Sequence, residues 1–106
     1  MFSYNTLKLG TTFIPGESRT IEFPYEGIHI INMSASCGCS TPINDEVDKK
    51  VKVNYTAQEI PIHIKNEGRN FYSTTKKIVV KYWITDPKNI QEVTLDFTAT
   101  VMGKIN

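Results

Sequence analysis

Strict alternation of apolar and polar side chains is the dominant pattern of this chain, and residues 93–101 show it best. Apolar residues occupy every odd position of this segment, whereas Asp96 and three threonines occupy the even positions. Successive side chains of a β-strand point to opposite faces, so the segment predicts a strand with one buried and one solvated face. Its β-branched residues favour the same structure.

A second alternating run lies just upstream, at residues 77–84. The segment between the two runs reads TDPKNIQ and contains Asp86-Pro87, a pair that disfavours helix and predicts a turn. We therefore expect two strands joined by a turn-rich connection. Four side chains of the upstream run share one parity and are predicted to face the core: Ile78, Val80, Tyr82 and Ile84.

Five earlier segments also read as extended chain, although the first of them alternates poorly. Pro61 marks the last of these segments as an edge strand or an irregular crossover. Pro15-Gly16 predicts a type II turn, and no window predicts an amphipathic helix of three or more turns. The five segments lie at residues 3–9, 20–25, 28–36, 50–55 and 60–64.

About seven short strands, separated by turns every ten to twelve residues or so, predict an all-β fold. We expect an immunoglobulin-like antiparallel β-sandwich that forms a single domain over residues 1–106. The chain lacks the widely spaced Cys…Trp…Cys pattern of antibody domains, so the predicted likeness is one of architecture.

Composition and charge narrow the class of partner. The chain has 106 residues, of which 40% are hydrophobic and 22% charged, an ordinary mixture for one globular domain. Its net charge of +1 is far from the basic character of a nucleic-acid binder, so no nucleic-acid partner is expected. The start, MFSYNTLKLG, lacks the regions of a signal peptide, and no apolar run is long enough to span a bilayer. We expect synthesis in the cytoplasm and no membrane association.

Cys37-Gly38-Cys39 holds both cysteines of the chain, and it is the first candidate for chemistry. The pair could be a metal site, a redox pair, a reactive thiol or packing at the end of a strand. A bridge between residues two apart closes a tight ring, and the absence of an export signal favours a reducing compartment. We therefore expect free thiols, with one cysteine packed as a small buried hydrophobe and Gly38 allowing a kink.

The sequence offers few partners for those thiols. A structural zinc ion takes four ligands, and along a straight strand His29 would lie about 25 Å from Cys37, too far to share an ion with it. Nothing specifies the base and orienting group that a catalytic cysteine needs. Asp45, Glu46 and Asp48 lack the spacing of a calcium loop. We expect no enzyme activity, no metal and no cofactor.

Trp83 and Val79 are the leading candidates for a protein interface. They have the opposite parity to Ile78 and Val80, so they would be outward and apolar if those residues face the core. The alternative is a central strand that is covered on both faces. The N-terminal segment around Phe2 and Tyr4 is a further interface candidate.

Residues 30–42 end in Ser-Ala-Ser-Cys-Gly-Cys-Ser-Thr-Pro and resemble an uncharacterised bacterial domain family of the ASPM/Hydin-type immunoglobulin-like class. That family is marked by a strand ending in a Ser-x-Cys-Gly-Cys-Thr-like turn. This chain has Ser40 in place of the family's Thr, and Asp48-Lys49-Lys50 in place of Pro-Gly-x. The resemblance implies an adhesion, scaffold or assembly module without catalytic residues. It extends to the segments 9–17, 51–55, 66–80 and 93–101.

The predicted function is that of a non-enzymatic structural protein. Ten Lys against two Arg, and thirteen Ile against three Leu, fit an AT-rich bacterial or phage genome. A free-standing domain of this kind, without an export signal, fits an auxiliary (decoration) capsid protein of a bacteriophage virion, bound in many copies to major capsid or other virion proteins. The alternatives are an adhesion or scaffold module of an exported bacterial protein, and a small thiol- or metal-binding protein using Cys37 and Cys39.

Overall fold

The computed structural model describes residues 1–103, which form seven strands and one short helix. In chain order the elements are β1 (Thr6–Phe13), β2 (Ser18–Pro24), β3 (His29–Ala35), β4 (Ser40–Asp45), β5 (Lys50–Thr56), α1 (Ile62–Asn66), β6 (Phe71–Trp83) and β7 (Gln91–Met102). Within residues 1–103, no helix is long and apolar enough to cross a membrane.

The strands form two sheets, a four-stranded one in the order β1-β7-β6-β3 and a three-stranded one in the order β2-β5-β4. This confirms the predicted all-β sandwich. Neighbouring strands are antiparallel with one exception, because β1 runs parallel to β7. The predicted antiparallel arrangement thus holds for every neighbouring pair of strands except β1 and β7.

The core lies between the two sheets and is built from the alternation seen in the sequence. Tyr55 of the three-stranded sheet meets Phe97 of the other with ring centroids 5.3 Å apart, edge to face. Phe13 contacts the same tyrosine at 5.4 Å, and such pairs add about 0.5–1.5 kcal/mol each beyond the area they bury. The largest fully buried side chains are Tyr55, Phe13, Phe23, Phe97, Ile78 and Leu95.

The segment predicted as a strand at residues 60–64 is a short helix instead. The N–H groups of Ile64 and Lys65 donate to the carbonyl of Pro61, at 3.0 and 3.2 Å. Ile60 and Ile64 are buried, whereas Ile62 between them is 76% exposed. Buried positions four residues apart follow the period of a helix, so the two isoleucines that reach the core were compatible with either structure.

The sequence also failed to predict β4. Pro42 and the polar residues around it conceal a strand, but a proline is tolerated here because β4 lies at the edge of its sheet. Ile84 was expected in the core, yet it lies beyond the end of β6 and is 38% exposed. The first strand spans Thr6–Phe13 rather than residues 3–9.

The turn between β1 and β2 is the type II turn that Pro15-Gly16 predicts. The N–H of Glu17 donates to the carbonyl of Ile14 at 2.9 Å, and Gly16 has a φ of 90°. A positive φ at the third turn residue is the condition that glycine meets without steric cost.

Candidate functional site

Residues 36–39 connect the two sheets and are called the sheet-crossing corner below. On the β3 side, the N–H of Ser36 donates to the carbonyl of Lys77 at 2.9 Å, and Ser36 Oγ accepts from the N–H of Lys77 at 3.1 Å. On the other side, the N–H of Thr56 donates to the carbonyl of Cys39 at 3.0 Å. Each end of the corner is therefore fixed to a different sheet.

Cys37 and Cys39 form a disulfide within this corner, with their Cα atoms 5.2 Å apart. The expectation of two free thiols, which rested on ring strain and a reducing compartment, is therefore wrong. The N–H of Ser40 donates to the carbonyl of Cys37 at 3.2 Å, as in a β-turn. That turn brings the two Cα atoms into the range that a disulfide requires. Both cysteines are half-buried, and Cys39 packs against the core.

The backbone freedom predicted for Gly38 is not used in the corner. Its φ lies outside the left-handed region, in contrast to that of Gly16. A Cβ atom added at Gly38 would meet no atom within 4 Å. The corner thus turns through a backbone conformation that other residues can adopt.

The described part of the chain gathers no group of three or more His, Cys, Asp and Glu side chains that could hold a metal ion. The acidic segment 45–48 is a turn, in which Asp45 accepts hydrogen bonds from the N–H groups of Val47 (3.2 Å) and Asp48 (3.1 Å). Asp45 also forms an ion pair with Lys52 at 2.8 Å. The pKa of the Asp45 carboxyl is held below its usual value. The main cause is its hydrogen bond with Lys52, and the hydrogen bonds from the turn N–H groups add to it.

Trp83 lies on the outer face of the four-stranded sheet, as one of the two alternatives predicted. Its ring stacks on His29 of β3, with centroids 3.9 Å apart and planes at 17°. Val79 is on the same face, between Ser34 and Thr94 of the neighbouring strands, but Lys81 separates it from Trp83. The structure therefore brings Trp83 together with His29 and leaves Val79 apart. We call the stacked Trp83 and His29 the aromatic pair.

Phe2 and Tyr4 belong to a different part of the surface. Phe2 forms a β-bridge with Tyr25, and their rings meet edge to face at 5.6 Å. The Tyr4 hydroxyl donates to the carbonyl of Glu22 at 2.8 Å, and its ring lies 5.8 Å from Phe23. These contacts fix the N-terminal segment against β2, so Phe2 and Tyr4 do not join the aromatic pair in one surface.

Sequence reasoning missed a further feature of β6. This strand has 13 residues, whereas β3 pairs only with residues 78–83 of it. The first half of β6 therefore has a neighbour on one side alone, β7. The sequence signal for it is the run of aromatic and β-branched residues before Ile78.

Comparison with known proteins gives no relative for the chain: no family model matches it, and neither a curated protein nor a solved structure shows significant similarity.

Proposed function

We propose that this chain is a non-enzymatic structural protein of a bacteriophage virion, an auxiliary protein that decorates the capsid and binds its proteins in many copies. The observation that carries the proposal is the aromatic pair. Trp83 and His29 lie on the outer face of a sheet whose other face is packed on the core. Tryptophan is enriched among the residues that dominate the energy of protein interfaces.

The disulfide of the sheet-crossing corner agrees with a place outside the reducing cytoplasm. Disulfides persist on virion and cell surfaces, whereas they are rare in proteins that stay in the cytosol. A protein made in the host cytoplasm and released on a particle would form the Cys37–Cys39 bond after release.

Many weak contacts can hold a decoration protein on a particle. When one subunit binds several sites of a symmetric shell, each further contact is intramolecular and raises the overall affinity without new chemistry. Under this arrangement the aromatic pair would be one of several contacts of the subunit, and none of them needs to be a large interface.

Two measurements test the proposal. Mass spectrometry of purified particles should find the chain in hundreds of copies, whereas its absence would overturn the virion role. In a binding assay with isolated capsids, Trp83→Ala should weaken binding about tenfold or more, because it removes the anchor of the interface. Ile43→Ala is the matched control, since Ile43 is 50% exposed on the outer face of the other sheet. Equal effects of both variants would refute the aromatic pair as the contact.

The same disulfide supports a second candidate, an adhesion or scaffold module of an exported bacterial protein, because the periplasm and cell surface also preserve such bonds. Sequencing the gene in its genomic context separates the two. A reading frame that continues upstream of Met1 into a signal sequence would support export, and neighbouring capsid genes would support the virion.

A further inference from the structure

The first half of β6 is an unpaired sheet edge. Along β7, the pairing of β6 begins with Phe71 opposite Met102 and continues to Tyr82 opposite Gln91. On its other side β6 pairs with β3 only from Ile78 onward. Opposite the earlier residues of β6 the chain has left β3 and entered the sheet-crossing corner. We call residues 71–75 the open edge.

The hydrogen bonds at either end of this stretch show which backbone groups face outward. Both the N–H and the carbonyl of Lys77 bond to Ser36, so the backbone polar groups of Lys77 point towards β3. The carbonyl of Asn70 accepts a hydrogen bond from the N–H of Gly103 at 2.8 Å, so the backbone carbonyl of Asn70 points towards the β7 side. Backbone groups alternate along a strand. The N–H and carbonyl groups of three residues therefore point into the open edge: Phe71, Ser73 and Thr75.

No hydrogen bond within residues 1–103 uses those six groups. Unpaired strand edges bind other strands unless charge, proline, a bulge or a covering segment prevents it. The open edge has the sequence FYSTT and carries none of these protections. The four outer strands each carry one: Pro42 in β4, a register shift between Ile30 and Asn32 in β3, another between Lys8 and Thr12 in β1, and the N-terminal residues bonded along β2.

We propose that the open edge pairs with the open edge of a second copy of this chain, antiparallel and with Ser73 opposite the partner's Ser73. In this register Phe71 lies opposite the partner's Thr75, and the residues that face each other have their backbone groups directed at one another. About six hydrogen bonds form across a twofold axis. The two four-stranded sheets become one continuous sheet.

The side chains favour a second copy as the occupant. Each aromatic residue of one edge meets a β-branched one of the other, because Phe71 faces the partner's Thr75 and Tyr72 faces the partner's Thr74. Aromatic and β-branched residues are stabilising when directly opposite, whereas like charges in that position are destabilising. Lys76 and Lys77 fall outside the paired stretch, so no charges oppose each other within it.

The backbone also selects this register over the symmetric one that is shifted towards Lys77. A shift by two residues would place Phe71 opposite the partner's Lys77. That lysine's N–H and carbonyl are already bonded to Ser36, so the outer hydrogen bonds of the pair could not form. The inference goes beyond the proposed function, because self-pairing needs no virion protein and either conclusion can fail alone.

Analytical ultracentrifugation over a range of concentrations is the first test, and we expect a reversible dimer. Ser73→Lys should raise the dimer dissociation constant about tenfold or more, because it places two lysines directly opposite each other. Thr94→Lys is the matched control, since Thr94 is exposed on the same face of β7 and lies away from the open edge. A wild-type protein that stays monomeric, or equal effects of the two variants, would overturn the proposal.

Cross-linking tests the register and does not depend on how a lysine affects folding. Opposed residues of a hydrogen-bonded pair have Cα atoms about 5.5 Å apart, which a disulfide can span. Ser73→Cys should therefore give a covalent dimer on oxidation, and peptide mapping should show it joined through position 73 with Cys37–Cys39 intact. Thr75→Cys should not, because Thr75 faces the partner's Phe71. Failure of the first variant to cross-link, or equal cross-linking of both, would contradict the register.

Discussion

Two glycines of this chain differ in what their backbone requires. Gly16 has a φ of 90°, a conformation in which a side chain is strained, whereas the φ of Gly38 lies outside that region. We expect Gly16→Ala to lower the free energy of unfolding by about 1–2 kcal/mol. Gly38→Ala should leave it unchanged or raise it by up to about 1 kcal/mol, because alanine restricts the unfolded chain. Urea denaturation of both variants measures this, and a larger loss at Gly38 would contradict the geometry of the corner.

Tyr55 is a buried residue whose hydroxyl has no hydrogen-bond partner among the described residues. Burial raises the pKa of this phenol to about 12, from its ordinary value of 10.0. Folding thus favours the neutral form. The corresponding stability is complete below the unfolded pKa and is lost as the pH rises from about 10 towards 12, because the unfolded phenol ionises first.

Replacing that hydroxyl should help the protein. We expect Tyr55→Phe to raise the free energy of unfolding at pH 7 by up to about 1 kcal/mol, since it removes a buried polar group without a partner. The alkaline loss of stability should become smaller but not vanish, because burial also raises the pKa of Tyr72 and Tyr25. Denaturant titrations at pH 7 and about pH 11 compare the proteins. A destabilised Tyr55→Phe protein at neutral pH would show that the hydroxyl is satisfied.

At the scale of elements, the sheet-crossing corner does not depend on its disulfide alone. Hydrogen bonds from Ser36, Ser40 and Thr56 fix it to both sheets. A bridge between residues two apart closes a very short loop and restricts the unfolded chain little. The double variant Cys37→Ser/Cys39→Ser should therefore lose no more than about 2 kcal/mol of stability. Thermal unfolding with and without reductant measures the same quantity in the wild type, and complete unfolding of either would show that the disulfide maintains the fold.

The strands could be predicted from the sequence where one face is buried and the other is exposed to solvent. In β5, β6 and β7 the buried residues alternate as the sequence indicates. The pattern gave a wrong prediction at Ile60 and Ile64, because their spacing suits a strand or one turn of helix. It gave no prediction for β4, because Pro42 interrupts the apolar positions there. Local periodicity reports burial, and it needs length to separate the two structures.

The candidate site was predictable only in part, for a similar reason. Parity left Trp83 either outward or in a strand covered on both faces, and its stacking on His29 depends on how β3 pairs with β6. The disulfide was missed because ring strain and a reducing compartment were expected to leave Cys37 and Cys39 as thiols, whereas the turn of the corner holds their Cα atoms 5.2 Å apart. The open edge arises because β6 is longer than the part of it that pairs with β3. The sequence of one strand alone does not show which strand it pairs with or over what length.

For the whole molecule, the long β6–β7 pair sets the shape. The radius of gyration is 15.9 Å, against about 13 Å for a compact domain of this length, and the principal extents are 55 × 23 × 18 Å. An elongated subunit presents more edge for its mass than a round one. The likeness to the Cys-Gly-Cys family and the place on a virion stay predictions that binding and particle composition will decide.

The parallel pairing of β1 with β7 has a mechanical consequence. Parallel strands place the start of β1 near Thr6 and the end of β7 near Met102 at opposite ends of their shared hydrogen bonds. Tension applied between those two points slides one strand along the other and loads all of these bonds together, whereas an antiparallel pair would peel apart one bond at a time. The β1–β7 pair should therefore resist a pulling force along its strands better than an antiparallel pair would.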